Sequence, residues 1–195
     1  MTPILLASNN RGKLVEFQAL MAGFELVLPA QIGLRLDVLE DGQTYAENAE
    51  RKARAFCQAA GLVTLADDSG LEVDALGGAP GLHSARFSPR PGASDADRRA
   101  LLLEKLGGLP RPWHAHFHCT VAVATPQGEL FFTEGNCPGE IIPEERGSNG
   151  FGYDPIFLLA QLGKTMAELG MDEKNQLSHR ALAVGAALPI LRKLV

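Results

Sequence analysis

The chain has 195 residues, 46% of them hydrophobic and 21% charged, the composition of a single soluble globular domain over residues 1–195 with room for a sizeable core. A formal net charge of −5 argues against broad, sequence-independent nucleic-acid binding, which relies on excess Lys and Arg. No apolar stretch is long enough to span a membrane, and the opening MTPILLASNN lacks the basic flank and long apolar run of a signal peptide, so no membrane partner and a cytoplasmic location are expected. Three widely spaced cysteines, Cys57, Cys119 and Cys137, include no CxxC pair and read as reduced, mostly buried thiols.

Pro3 to Ala7 is a short apolar strand that runs into Ser8-Asn9-Asn10-Arg11-Gly12-Lys13 and then a helical pattern of Leu14, Phe17, Leu20 and Met21. Strand, polar loop and helix in this order present backbone N–H groups and a positive helix end to an anion. The loop lacks the glycine pair and Lys-Ser/Thr ending of a Walker sequence. Ser8 and Asn10 can donate hydrogen bonds and Lys13 can supply a point charge, a set suited to phosphate oxygens; the same residues also read as a plain helix cap with a solvated lysine. Glu25 to Leu28 alternates weakly as a second strand, and Pro29 to Leu39 is a connection. Thr44 and Glu47 form a capping-box pair that opens a helix to about Ala60, with Arg51, Lys52 and Arg54 as its solvated face. Glu40, beside a glycine just ahead of that helix, has no such structural account.

The stretch Ala66 to Arg86, ADDSGLEVDALGGAPGLHSAR, places adjacent carboxylates where the apolar run of Leu62, Val63 and Leu65 would stop. Side chains alternate along a strand, so Asp67 and Asp68 are expected to take two roles rather than act as a dyad. DDSG alone reads equally as a solvated strand end before a turn. Glu72 and Asp74 bring the total to four acids within eight residues ahead of a glycine-rich loop, which favours a hard cation such as magnesium.

Ser94-Asp95-Ala96-Asp97 caps a helix carrying Leu101, Leu102 and Leu106, and its role reads as structural. His114, His116 and His118 alternate with Ala115, Phe117 and Cys119, the pattern of a strand with one buried face; with no carboxylate or thiol expected on the histidine face, a wet face is favoured over zinc. Leu130 to Thr133 is the return strand after the turn Pro126-Gln127-Gly128-Glu129. In Gly147 to Phe157, GSNGFGYDPIF, three glycines within six residues precede aromatics and an acid. A planar base would stack on Phe151 or Tyr153 while Asp154 accepts its N–H hydrogens; the competing account is a β-bulge with an aromatic plug. Thr165 and Glu168 cap a short helix, and Lys174 then Ser178-His179-Arg180 lead into a final apolar helix. Cations at a helix start are disfavoured by its dipole, so His179 and Arg180 require an acceptor, which a purine 6-keto oxygen would supply.

Together SNNRGK, EDGQTYAENA, ADDSGLEVDALGGAPGLHSAR, GSNGFGYDPIF and SHRA resemble the Ham1/RdgB family of inosine and xanthosine triphosphate pyrophosphatases, in the family's order from Ser8 to Arg180. The resemblance implies an elongated α/β fold, a long mixed β-sheet with flanking helices and two lobes around a central substrate cleft, and a homodimer. It implies a magnesium-dependent hydrolase that cleaves ITP, dITP and XTP to the monophosphate and pyrophosphate, cleansing the nucleotide pool so that these purines stay out of DNA and RNA. Carried over by position, Ser8, Asn9, Asn10, Arg11, Gly12, Lys13 and Lys52 would bind the triphosphate. Glu40 and Asp68 would hold magnesium, with Asp68 also the proton acceptor and Ser69 on the substrate. Phe151, Gly152, Tyr153, Asp154, Lys174, His179 and Arg180 would surround the base. The chain departs from the family at Asn9, where many relatives have glycine, and at Tyr45, where many have Phe. Two other readings stay open on sequence: a Maf-like pyrophosphatase for modified pyrimidine triphosphates, and a nucleotide-sensing module without turnover.

Overall fold

The first apolar run becomes β1 (Ile4–Leu6), with all three side chains buried. It leads to α1 (Arg11–Leu20), β2 (Leu26–Val27) and, after a 3-10 turn at Pro29–Ile32, to α2 (Tyr45–Ala60). Then follow β3 (Thr64–Val73), α3 (Asp95–Leu106), β4 (Trp113–Ala124), β5 (Leu130–Ile141), β6 (Phe157–Leu159), β7 (Lys164–Thr165), α4 (Met171–Leu177) and α5 (His179–Leu194). This computed structural model describes residues 2–195; Met1, the first residue of the expected domain, lies outside them. The strands form one sheet in the order β2-β1-β3-β4-β5-β6-β7. It is mixed: β1 runs parallel to β2 and β3, whereas β5, β6 and β7 pair antiparallel. The α/β class expected from the sequence is therefore observed. Among the described residues no helix is long and apolar enough to cross a membrane.

Contacts divide the chain into two compact units, each with its own core. The first comprises the chain up to Asp68, Cys119–Gly135 and His179–Val195; the second comprises Ser69–His118 and Asn136–Ser178. In the first, alternation along the strands feeds two apolar clusters. Ile4, Leu6, Leu65 and Val121 meet Phe17, Val184 and Leu191, while Leu5, Ala66, Ala122 and Ala124 meet Ala49, Ala53 and Phe56. Strands covered on both faces lose the polar alternation of a half-exposed strand, which explains the uninterrupted burial from Cys119 to Ala124. Burying one such Leu or Ile side chain contributes about 1.5–3 kcal/mol. In the second unit, Leu71, Val73, Trp113 and Phe117 pack with Leu102, Leu106 and Phe157, the Phe117 and Phe157 ring centres lying 4.4 Å apart.

Three elements differ from the sequence expectation. β3 does not stop at the two aspartates but continues to Val73, because Leu71 and Val73 are themselves buried and pull the strand onward. β5 extends to Ile141, well past Thr133. A carboxylate does face the histidine strand, Glu72 Oε2 lying 3.3 Å from His116 Nε2. The glycine-rich loop behaves as expected, Gly77, Gly78 and Gly81 all adopting positive φ. Cys57, Cys119 and Cys137 are free thiols and all buried.

Candidate functional site

In the first unit the candidate phosphate loop caps α1. Asn10 Oδ1 accepts the Lys13 N–H at 3.2 Å and Ser8 Oγ accepts the Asn10 N–H at 3.3 Å. The capping reading of these residues is thus observed, and it has a positional result: the cap fixes Lys13 in the first turn, where its Nζ pairs with Asp67 Oδ2 at 2.9 Å. Asn9, Arg11 and Gly12 lie in the same loop and first turn, Asn9 and Arg11 being exposed.

Thr44 caps α2, its hydroxyl oxygen accepting the Glu47 N–H, while the Glu47 carboxylate accepts from Gln43 N rather than from the cap residue. That start sets the phase of α2 so that Asn48 and Lys52, one turn apart, share a face. Asn48 Oδ1 accepts the Gly42 N–H at 2.8 Å, an approach so close that a Cβ at Gly42 would collide with it. Its Nδ2 donates to Asp68 Oδ2 at 2.9 Å. Lys52 Nζ, far from being solvated, donates to Glu40 Oε2 at 3.0 Å and to the Asp67 carbonyl at 2.6 Å.

The neighbouring aspartates differ in environment. Asp67 is 1% exposed, and its Oδ2 accepts from Arg180 Nε at 3.3 Å and Nη2 at 3.2 Å as well as pairing with Lys13. Burial alone would raise its carboxyl pKa, but the charges of Lys13, Arg180 and Lys52 outweigh it and hold the group well below the ordinary range. Asp68, 7% exposed, is raised: burial is the main cause, opposed by Lys52, Lys13 and the Asn48 hydrogen bond, and reinforced by the negative charge of Glu40. Asp67 is thus held as an anion among three cations, while burial favours the neutral form of Asp68. The Glu40 effect also means that two carboxylates repel each other here, an arrangement a hard divalent cation relieves. Among the described residues no group of three or more His, Cys, Asp or Glu is arranged to hold a metal ion; Glu40 and Asp68 are the carboxylates here that could share one.

Arg180 finds acceptors, as a cation at the start of α5 must, but they are protein carboxylates. Its Nη1 pairs with Glu16 on α1 and its other nitrogens with Asp67. At 1% exposure, the guanidinium is held inside the first unit. His179 beside it is buried as well, and Gly135 passes so close to its carbonyl that no side chain fits there.

In the second unit the loop of Gly147 to Phe157 forms turns ahead of β6, with Tyr153 plugged into the core as the competing account expected. Gly147, Gly150 and Gly152 adopt φ of +79°, +75° and +62°, and Asp154–Ile156 forms one 3-10 turn before β6. Asp154 Oδ2 accepts the Phe151 N–H at 3.0 Å and pairs with Lys174 Nζ at 2.7 Å, both side chains being buried. Lys174 Nζ lies 5.5 Å from the centre of the half-buried Phe151 ring. Tyr153 is part of the core, its hydroxyl donating to the Ser84 carbonyl at 3.0 Å. Of the two aromatics Phe151 is the more exposed. Ser69, which follows Asp68 on β3, is half-buried.

Sequence reading missed Asn48, Glu16 and the anchoring role of Asp67. A polar residue on the otherwise alanine-lined face of α2 was the available signal for Asn48; Glu16 offered none, since its partner lies 164 residues away.

Comparison with known proteins places the chain in a family. The Ham1 family profile matches residues 4–190. A protein of Desulforamulus reducens named dITP/XTP pyrophosphatase is 44% identical over 194 residues, covering 98% of this chain and 96% of its own. One of the same name from Geobacillus kaustophilus is 48% identical, covering 94% and 91%. Among solved structures, the Staphylococcus aureus Ham1 protein superposes with a TM-score of 0.87 at 38% identity, covering 99% of this chain and 100% of its own. A HAM1 protein from Coxiella burnetii gives 0.88 at 39%, with the same coverage. By its near-complete match to the family profile and to full-length relatives, the chain belongs to the Ham1 family.

Proposed function

We propose that the chain is a nucleoside-triphosphate pyrophosphatase that hydrolyses non-standard purine nucleotides, ITP, dITP and XTP, to the monophosphate and pyrophosphate. Its role is then to keep such bases out of DNA and RNA. The observation that carries the reading is the pair of adjacent aspartates, Asp67 paired with Lys13 and Arg180, and Asp68 hydrogen-bonded to Asn48 with the Glu40–Lys52 pair nearby. Relatives named dITP/XTP pyrophosphatase support the substrate class.

In this reading Asp68, held by the Asn48 amide and close to Glu40 and Lys52, accepts a proton from the water that attacks the α-phosphorus. The bond to the β-phosphate oxygen breaks, and the charge developing on the pyrophosphate is met by Lys13 and Lys52, with Ser8, Asn9, Asn10, Arg11 and Gly12 donating from the loop and Ser69 from the strand. Magnesium, held by Glu40 and Asp68, would supply charge neutralisation and polarise the phosphoryl oxygens. Arg180 keeps Asp67 in place beside Lys13. On the base, Phe151 offers a stacking face, and Asp154, Lys174, the Gly152 and Tyr153 backbone and His179 supply polar contacts; donors facing O6 favour 6-keto purines over adenine. The whole chain would act as one catalytic domain in a cytoplasmic homodimer, an assembly that size-exclusion chromatography tests.

Incubation of the purified protein with a panel of triphosphates and magnesium tests the activity. Pyrophosphate and the monophosphate should appear with dITP and XTP well ahead of ATP and dTTP. Preference for dTTP would favour the Maf-like reading, and release of orthophosphate or no turnover would refute the proposal.

A further inference from the structure

Helix α3, whose role the sequence left as structural, grips both backbone polar groups of one residue in the Phe151 to Asp154 loop, Gly152. Asp95 Oδ2 accepts the Gly152 N–H at 2.8 Å, and Arg99 Nη1 donates to the Gly152 carbonyl at 2.8 Å. Asp95 and Arg99 stand one helical turn apart and so present their side chains on one face. The remaining edge of the Arg99 guanidinium is taken by Glu145 in a two-point fork, at 2.8 and 2.9 Å, which fixes the plane of the group. Asp95 is in turn paired with Arg98. Gly152, at φ +62°, is the residue between Phe151 and Tyr153, and the neighbouring Phe151 N–H is the one that holds Asp154. A loop with three left-handed glycines has many conformations open to it, and the α3 clamp selects one.

We infer that Asp95 and Arg99 are positioning residues for nucleobase recognition: by holding the Gly152 N–H and carbonyl they set where the Phe151 ring and the Asp154–Lys174 pair stand. The inference rests on the reading that Phe151 and Asp154 face the base. The clamp touches none of the groups assigned to phosphate or proton transfer, so its loss should weaken binding and discrimination and leave the chemical step alone.

The test is steady-state kinetics of Asp95→Ala, Arg99→Met and Phe151→Leu with dITP and ATP, alongside Asp95→Asn, which restores an acceptor oxygen. Loss of one clamp hydrogen bond should raise KM for dITP by about tenfold and reduce the dITP-over-ATP ratio of kcat/KM by a comparable factor, with kcat within about twofold. Asp95→Asn should recover most of the effect. A variant that merely folds poorly would lose kcat at unchanged KM, and that pattern in both Asp95→Ala and Arg99→Met would overturn the inference. If Phe151→Leu changes neither KM nor the ratio, the base reading itself fails. If Phe151→Leu changes them and the clamp variants do not, the inference alone fails.

Discussion

Replacing Arg180 by Met isolates the contribution of the buried charge network, because the apolar stem keeps most of the volume while the guanidinium disappears. The wild-type side chain is 1% exposed and faces two carboxylates that are themselves buried, Glu16 and Asp67. Removing one partner of a buried ionic group leaves uncompensated charge and costs about 3–5 kcal/mol. For a chain of this length each kcal/mol shifts the unfolding midpoint by about 2–4 °C, so a loss of roughly 6–20 °C is expected at pH 7. The deficit should depend on pH. In the wild type the depressed Asp67 pKa contributes stability that is present above the unfolded value near ~3.9 and is lost as pH falls through the folded one. Without Arg180 the folded-state pKa rises and the variant binds protons more readily, so its deficit should be greatest near neutrality and narrow toward pH 4. Adding Glu16→Leu removes one stranded carboxylate and should restore part of the loss. Thermal unfolding followed by circular dichroism from pH 7 to 4 reads all of this. A midpoint within about 2 °C of wild type, or a deficit that is flat with pH, would refute the reasoning.

Other substitutions test the site directly. Asp68→Asn should lower kcat by at least about 10²- to 10⁴-fold while dITP still binds, as measured by isothermal titration. Because the base works only when ionised, wild-type kcat/KM should fall toward acid pH, and the residual activity of Asp68→Asn should lack that limb; a limb that persists in Asp68→Asn would show that another group is the base. EDTA should abolish pyrophosphate release and excess magnesium should restore it. Gly150→Ala puts a Cβ into Asp154 at a φ of +75°; it should displace the Asp154–Lys174 pair and raise KM for dITP, whereas unchanged kinetics would mean that this pair does not matter to the substrate.

What was legible in the chain was local. The Thr44 and Ser94 caps, the strand-loop-helix at Ser8 to Lys13, and the helix starting at His179 depend on residues within four positions of one another, and the structure has them where the pattern put them. β3 was harder because two consecutive acids ordinarily end a strand; this one continues since Asp67 is paired with Arg180, more than a hundred residues further on, and Asp68 accepts a hydrogen bond from Asn48 on α2. The second half of β5 was hidden because Gly135, Asn136, Pro138 and Gly139 interrupt the apolar alternation. Gly139 is nevertheless required, as its Cβ would enter the Phe157 ring. At the site, the alternation along β3 indicated that Asp67 and Asp68 would differ in surroundings, but not which groups each would meet. Which base each lysine and arginine serves could not be read from spacing, since Lys13, Lys52 and Arg180 all spend charge on Asp67 or its carbonyl.

The three cysteines give the molecule a chemical indifference that matters in practice. Burial pushes the Cys137 thiol up to about 11 and the Cys119 thiol to about 12, and Cys57 is raised as well. At pH 7 only about 10⁻⁴ to 10⁻⁵ of the first two would be ionised, and it is the ionised form that reacts. Peroxide and maleimides should therefore find little to attack in the native protein. A cysteine introduced on the outer surface would then accept a fluorophore against a silent background, with no need to strip out the native ones first.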